Sequence, residues 1–262
     1  MITAHFRLDA GTVTRCSYPV DNDLGDLIAA ELGPLGLVPD VAAFERLFVS
    51  AVLSTAPDAD AAWLAFYRRS LARLEGTAAP GTGSPEDAAA PGTGSLAAFA
   101  RIYRHAAALL PAGSLLDVGS CFGFFPLFLR RARPELAVVA SDVVPGTAAL
   151  AGRMAARLRR PVHYLAADAT HLPLPDRSVD AVTLLHLLEH LPPPLGAAAL
   201  AEAIRVARRR VVVAVPLEDR PDPTYGHVVA FTLAGLGALG RHPGWTRAVT
   251  EHDGGWLVLD RA

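Results

Sequence analysis

The sequence predicts an α/β protein with a doubly wound, mostly parallel sheet, a C-terminal antiparallel hairpin, and a small N-terminal appendage of a hairpin and helices. From residue 96 to 215, helical patterns alternate with strand patterns that are almost wholly apolar. Such strands are typical of a parallel sheet covered on both faces. Near the end of the chain, segments 245–251 and 256–259 flank the turn sequence His252-Asp-Gly-Gly255, which indicates an antiparallel hairpin.

The first element is a hairpin, because apolar residues alternate over 2–8, turn residues follow at 9–12, and a second strand pattern covers 13–17. Helical spacing then predicts helices over 23–33, 40–54 and 59–75. The last of these carries a stripe of large side chains: Trp63, Leu64, Phe66, Tyr67 and Leu71. The stripe is interpreted as core, with a substrate lid or a ring-stacking platform for a sugar as the alternative.

A linker is predicted next, because Ala-Ala-Pro-Gly-Thr-Gly-Ser occurs twice, at 78–84 and 89–95. Small, turn-forming residues without apolar anchors cannot offset the entropy lost on ordering. We therefore expect an N-terminal appendage at 1–76, a flexible linker at 77–95 and the main domain at 96–262.

The alternating elements of the main domain follow in order. They are predicted as helix 96–110, strand 114–118, helix 124–132, strand 136–141, helix 146–159, strand 162–166, strand 179–185, helix 195–208 and strand 210–215.

Composition excludes several function classes. The 262 residues carry a formal charge of −2, and all 24 basic side chains are arginine, so no strong field favours nucleic acid or an anionic membrane surface. Cys16 and Cys121 make neither a disulfide framework nor a zinc ribbon. The N-terminus lacks a signal-peptide pattern and no apolar run is long enough to cross a bilayer, so a cytoplasmic protein is predicted.

The segment Asp117-Val-Gly-Ser-Cys-Phe-Gly123 follows a predicted strand and precedes a predicted helix. Gly119 and Gly123 let the backbone turn tightly and approach a ligand, while the first N–H groups of the helix remain available to bond it. The spacing differs from the dinucleotide pattern G-x-G-x-x-G, and the chain has no lysine for a P-loop. A nucleotide-like ligand of another kind is favoured, with a purely structural turn as the alternative.

Polar residues also follow the other strands, at the sheet edge where ligands bind in this class of fold. Asp142 lies 19 residues beyond Gly123, near the offset at which a carboxylate meets ribose hydroxyls, or else it caps the next helix. Asp168 could accept from an adenine amine beside the Ala169 backbone, or simply form a turn.

These residues resemble the class I S-adenosylmethionine-dependent methyltransferases, a Rossmann-like family, over about residues 96–262. The most telling stretches are the Leu-Pro-Leu-Pro-Asp loop at 172–176 and the Leu-Glu-His-Leu ending at 188–191. The resemblance implies S-adenosylmethionine as cofactor. It implies that the methionine part lies on Asp117, Gly119 and Gly123, with Ser120 and Cys121 in the same loop. It places the ribose at Asp142, the adenine at Val143, Asp168 and Ala169, and the sulfonium near His186.

The loop departs from the family at Cys121, where a glycine is expected. A side chain at this position is expected to narrow the loop.

Methyl transfer to a hydroxyl needs a nearby base in addition to the cofactor. The candidates are His186, Glu189, His190 and His227. No metal site is predicted. The order His186-Leu-Leu-Glu-His190 also matches the H-x-x-E-H zinc motif, but it follows a strand directly and is stopped by Pro192, which disfavours the long helix that motif requires.

The N-terminal appendage and the Cys-Phe variant of the loop are similar to the mycofactocin oligosaccharide methyltransferases. This resemblance implies an O-methyltransferase acting on a hydroxyl of a sugar, an oligosaccharide or another small metabolite. The alternative is a catalytically silent protein that binds the cofactor as a partner of another enzyme. The oligomeric state is not predicted.

Overall fold

The computed structural model describes residues 1–76 and 95–262, which form two compact units. Unit 1 comprises Met1–Arg101 and Pro223–Gly226, and unit 2 comprises Ile102–Asp222 and His227–Ala262. The predicted linker lies outside the described residues, except for Ser95. The predicted domain boundaries therefore remain a prediction.

Unit 1 contains the predicted hairpin and helices. The strands β1 (Phe6–Asp9) and β2 (Thr12–Cys16) pair antiparallel. The helices are α1 (Leu24–Leu32), α2 (Val41–Leu53), α3 (Ala59–Leu74) and the first residues of α4 (Ser95–Leu109). Helices α2 and α3 begin where Asp40 and Asp58 accept hydrogen bonds from the free N–H groups of Ala43 and Ala61.

The aromatic stripe of α3 is core. Phe66 and Tyr67 are fully buried, and Trp63 is 8% exposed. Phe66 packs edge-on against Trp63, with ring centroids 5.4 Å apart, and against Phe48 at 5.6 Å. The core interpretation is therefore confirmed, and these rings present no open face on which a sugar could stack.

A group of buried charges connects the helices of unit 1. Arg73 on α3 lies 2.7 Å from the carboxylate of Asp21 and 2.5 Å from that of Asp23. Asp23 also accepts from the N–H of Leu96 at 2.7 Å, while Asp26 accepts from the N–H and hydroxyl of Ser95. Two carboxylates from the α1 region thus accept hydrogen bonds from N–H groups at the start of α4, which have no acceptor within that helix.

Unit 2 is built on a seven-stranded sheet. Its strands are β3 (Ser114–Val118), β4 (Ala137–Asp142), β5 (His163–Ala166), β6 (Val179–Leu185), β7 (Ala207–Val215), β8 (Trp245–Glu251) and β9 (Gly255–Arg261). Their order is β5-β4-β3-β6-β7-β9-β8. Strands β3 to β7 are parallel, and β9 is antiparallel to both β7 and β8. The predicted fold class is confirmed.

The sheet carries helices α5 (Phe124–Ala132), α6 (Pro145–Arg157), α7 (Pro193–Val206) and α8 (Leu233–Leu239). Strand β3 is central, with β4 on one side and β6 on the other. The chain runs outward along the sheet from β3 to β5 and then returns to β6, so the β3/β6 boundary is the topological switch point at which ligands bind in such sheets. In the described ranges, no helix has the length and apolar character needed to cross a membrane.

Candidate functional site

The loop between β3 and α5 needs glycine at two positions. Gly119 and Gly123 have φ values of 72° and 71°, in the left-handed region. A Cβ at Gly119 would lie 2.7 Å from Leu187 Cδ1, and one at Gly123 would lie 2.7 Å from Tyr164 Cε1. Both glycines therefore combine a special conformation with close packing, and Gly123 immediately precedes α5.

Cys121 is also left-handed, with φ of 47°, although it has a side chain. Its thiol is exposed, and its N–H donates to Asp142 Oδ2 at 2.9 Å. Whether this side chain narrows the loop for a ligand stays a prediction. The glycine that the family pattern has at this position would adopt the left-handed conformation without strain.

We expect Cys121→Gly to raise the free energy of unfolding by about 0.5–1 kcal/mol, because relief of left-handed strain exceeds the added entropy of glycine in the unfolded chain. Cys121→Ala is the matched control, since it removes the thiol and keeps the Cβ. Denaturant unfolding of the three proteins tests this. Equal stability of the glycine and alanine variants would contradict the strain argument.

Asp142 joins the ends of two strands. Its Oδ2 accepts from Cys121 in the β3 loop, and its Oδ1 accepts from the N–H of Val144 at 2.9 Å. Each oxygen keeps a second lone pair, which a ribose hydroxyl could use. The neighbouring Val143 is 67% exposed, so an apolar surface lies open beside the carboxylate.

The remaining predicted cofactor residues lie at the same edge of the sheet. The N–H of Ser120 donates to the Ser141 carbonyl at 2.9 Å, which fixes the loop to β4. Asp168, just after β5, is exposed and accepts from both the N–H and the hydroxyl of Thr170. These bonds hold the pKa of Asp168 below its usual value. The turn interpretation is thus observed at Asp168–Ala169. Both bonds use Oδ1, and the ligand role of Asp168 stays a prediction.

Asp117 lies beneath the loop. It is 3% exposed, and its Oδ1 accepts from the Thr183 hydroxyl at 2.6 Å. Burial raises the pKa of Asp117 to about 7, and the bond from Thr183 opposes that rise. Sequence reasoning missed Thr183, although a polar residue inside the apolar run of β6 was a signal that could have found it.

The four predicted catalytic residues come together after β6. His186 has a φ of 53°, and its N–H donates to the Ala214 carbonyl of β7. Its Nδ1 lies 3.1 Å from Glu189 Oε1. Leu188–His190 form a single 3₁₀ turn, so His186, Glu189 and His190 do not share the face of one helix. The geometry assumed for the H-x-x-E-H alternative is therefore wrong.

His227 reaches this turn from the segment after β7. Its ring lies edge-on to that of His190, with centroids 5.0 Å apart, and its Nδ1 is 2.9 Å from Glu218 Oε2. In the described residues, ligand atoms of Glu189, His190 and His227 all lie within 4.8 Å of one another. No metal site was predicted because the sequence has no carboxylate pair at ligand spacing, and Glu218 was missed because no spacing marks it.

Comparison with known proteins gives a family match for part of the chain and a likeness of fold. Residues 116–215 match the family described as a methyltransferase domain. Two curated relatives are named demethylmenaquinone methyltransferase. The chain is 38% identical over 69 residues to the protein from Deinococcus radiodurans and 39% identical over 70 residues to that from Thermus thermophilus. These matches cover 26% and 27% of this chain but only 29% and 32% of the relatives, so the chain spans less than a third of their length.

Among solved structures, the chain resembles magnesium protoporphyrin IX methyltransferase from Synechocystis PCC 6803 with bound S-adenosylmethionine. The TM-score is 0.53 at 15% identity, covering 79% of this chain and 99% of that one. At this sequence identity, the comparison shows a shared fold and no more.

The fold is thus the Rossmann-like architecture that the sequence predicts. Residues 116–215 match a methyltransferase domain, and the fold is similar to that of a methyltransferase solved with bound S-adenosylmethionine. The residues present fit this molecule: two left-handed glycines turn the backbone after β3, and Asp142 stands beside the exposed Val143.

Proposed function

We propose that the protein is an S-adenosylmethionine-dependent O-methyltransferase that acts on a hydroxyl of a sugar or another small hydroxylated metabolite. The observation that carries the proposal is the hydrogen bond from the Cys121 N–H to Asp142 Oδ2. It brings the glycine loop after β3 against the carboxylate at the end of β4, beside the ends of β5 and β6. A nucleoside joined to an amino acid would extend along this edge.

The cofactor residues divide by chemistry. Asp142 would accept from the ribose hydroxyls, Val143 would contact the adenine, and Asp168 would accept from its amine. Asp117, with the loop amides, would hold the methionine part. When bound, S-adenosylmethionine supplies a methyl group already activated by its sulfonium.

The acceptor hydroxyl would then need alignment and a proton acceptor. His186 stands at the end of β6 with its Nδ1 3.1 Å from Glu189 Oε1. A carboxylate at this distance would stabilise an imidazole that takes a proton from the hydroxyl. Glu189, His190 and His227 lie beyond it and would orient the acceptor.

A glucose unit of the mycofactocin oligosaccharide is the acceptor that the resemblance of the whole chain favours. A quinone ring is the second candidate, favoured by the name of the two curated relatives. Because these relatives match only a quarter of the chain, we give the sugar precedence.

Titration calorimetry with S-adenosylhomocysteine tests cofactor binding. We expect Asp142→Ala to lower its affinity by at least about tenfold, because two hydrogen bonds to a charged group are lost. Asp142→Asn, which retains one acceptor, should lose less. Asp9→Asn is the control, since Asp9 is an exposed carboxylate of the β1/β2 hairpin. No binding by the wild type, or full binding by Asp142→Ala, would refute the proposal.

Transfer of a labelled methyl group tests the reaction. The protein would be incubated with labelled S-adenosylmethionine and, separately, glucose oligomers, a demethylated quinol and a metabolite extract. Label on a carbohydrate oxygen supports the proposal, and label on the quinol ring favours the second candidate. Cofactor binding with no label in any fraction would instead indicate a silent partner protein.

A further inference from the structure

Glu189, His190 and His227 lie close together near the end of β6, and a single general base would not require all three. Glu189 and His190 belong to the 3₁₀ turn Leu188–His190, and His227 comes from the segment after β7. The Glu189 carbonyl accepts hydrogen bonds from the N–H groups of Val228, at 2.8 Å, and Val229, at 3.1 Å. These two bonds hold the His227 segment against the turn.

The Glu189 carboxylate is buried with one histidine beside it and no hydrogen bond from the described residues. The residue is 0% exposed, and neither carboxylate oxygen has a hydrogen-bond partner among the residues that the structure describes. His186 Nδ1 lies 3.1 Å from Oε1, but the contact lacks hydrogen-bond geometry. Burying an ionised carboxylate is unfavourable unless a cation or several donors stabilise it. The carboxylate therefore points to a cation that binds here.

His227 is oriented as a metal ligand would be. Its Nδ1 lies 2.9 Å and 3.0 Å from the two carboxylate oxygens of Glu218. Because an ionised carboxylate only accepts, Nδ1 carries the proton and the lone pair is on Nε2. In metal sites, a carboxylate that accepts a hydrogen bond from one ring nitrogen fixes the tautomer of the histidine and makes the other nitrogen more basic.

We propose that Glu189, His190 and His227 bind a divalent first-row transition metal ion. Their ligand atoms lie within 4.8 Å of one another, close enough to converge on one ion. Two imidazoles and a carboxylate suit zinc, manganese or iron(II), whereas magnesium and calcium prefer oxygen ligands alone. Glu218 acts as a positioning residue for His227.

His190 is exposed, so the ion would keep coordination positions open toward solvent. The second part of the proposal rests on the proposed function. In it, the ion holds the oxygen of the acceptor hydroxyl next to His186 and lowers the pKa of that hydroxyl. A vicinal diol, such as two neighbouring hydroxyls of a glucose unit, would fill two such positions.

The experiment uses the untagged full chain, stripped with a chelator, dialysed, and titrated with zinc or manganese chloride against a chelating dye. We expect one equivalent to bind. Glu189→Gln and His227→Gln should each weaken binding at least about 100-fold, and Glu218→Gln about tenfold. The controls are His163→Gln at the start of β5 and Glu251→Gln at the end of β8, which should bind like the wild type.

Thermal unfolding separates metal binding from misfolding. Since Glu189→Gln removes a buried charge, the metal-free variant should melt no lower than the metal-free wild type and should not be stabilised by the ion. Stabilisation of Glu189→Gln equal to that of the wild type would overturn the proposal, as would wild-type binding well below one equivalent.

Titration of the same samples with S-adenosylhomocysteine keeps the two proposals apart. Stoichiometric metal without S-adenosylhomocysteine binding would refute the proposed function and leave the metal site standing. Methyl transfer at an equal rate in stripped and loaded enzyme would overturn the role of the ion in the reaction.

Discussion

Arg73→Met should lower the free energy of unfolding by about 3–5 kcal/mol, because it leaves two buried carboxylates without their cation. Asp21 is 5% exposed and Asp23 is 8% exposed, and Arg73 contacts both. Burial already raises the pKa of Asp21 in spite of the guanidinium. Without Arg73, the pKa of Asp21 should rise further.

The sign of the pH dependence follows from that shift. Because the folded-state pKa of Asp21 would lie above its unfolded value, the folded state of the variant gains a proton first as the pH falls. The deficit relative to the wild type should therefore shrink from pH 8 toward pH 4. Urea unfolding at several pH values measures it.

Arg69→Met is the matched control, since Arg69 is an exposed arginine of the same helix. It should change the stability by less than about 0.5 kcal/mol. Adding Asp21→Asn and Asp23→Asn to Arg73→Met should restore part of the loss. A deficit for Arg73→Met no larger than that of Arg69→Met would show that the buried ion group contributes little.

Asp117→Asn should weaken S-adenosylhomocysteine binding about 100-fold at pH 7.5, because the buried carboxylate that we propose for the ligand's ammonium group loses its charge. In the wild type the pKa of Asp117 is raised to about 7 by burial. The amine must bind the ionised form, so wild-type affinity should rise about tenfold per pH unit below about pH 7 and level off above it. The variant should lack this slope.

The stability of the ligand-free protein gives an independent measurement. An unfolded Asp117 ionises near its usual pKa, whereas the folded one stays protonated up to about pH 7. The folded wild type therefore loses stability as the pH rises between these values, and Asp117→Asn does not. Thr183→Val is a useful companion, since it removes the donor to Asp117 and should raise the pKa further. A wild-type binding curve that is flat across this range would contradict the assignment.

Much of the fold could be predicted from periodicity. Strands 114–118 and 179–185 and helix 124–132 have the predicted bounds, because apolar runs ended by glycine or charge define them. The first strand was less predictable: it covers Phe6–Asp9 and not 2–8, since Ile2 folds back to form an isolated bridge with Arg7. A local alternation pattern cannot anticipate such a return.

The site was predictable only where residues follow strands. Asp117, Asp142, Asp168 and His186 stand at strand ends, and topology alone brings strand ends together. Their partners depend on three-dimensional packing. Glu218 meets His227 because the Glu189 carbonyl anchors the backbone next to that histidine, and neither event leaves a spacing in the sequence.

The antiparallel pairing of β9 with β7 has a further consequence for association between copies. Strand β7 ends in the wholly buried run Val211–Val215, which pairs with β6 on one side and β9 on the other. Without β9, this run would be an unprotected edge of β-branched residues, the kind that recruits strands from other molecules. On this side the sheet instead ends in β8, a strand of mostly exposed polar and charged residues. We therefore expect the C-terminal hairpin to disfavour strand pairing between copies at this side of the sheet.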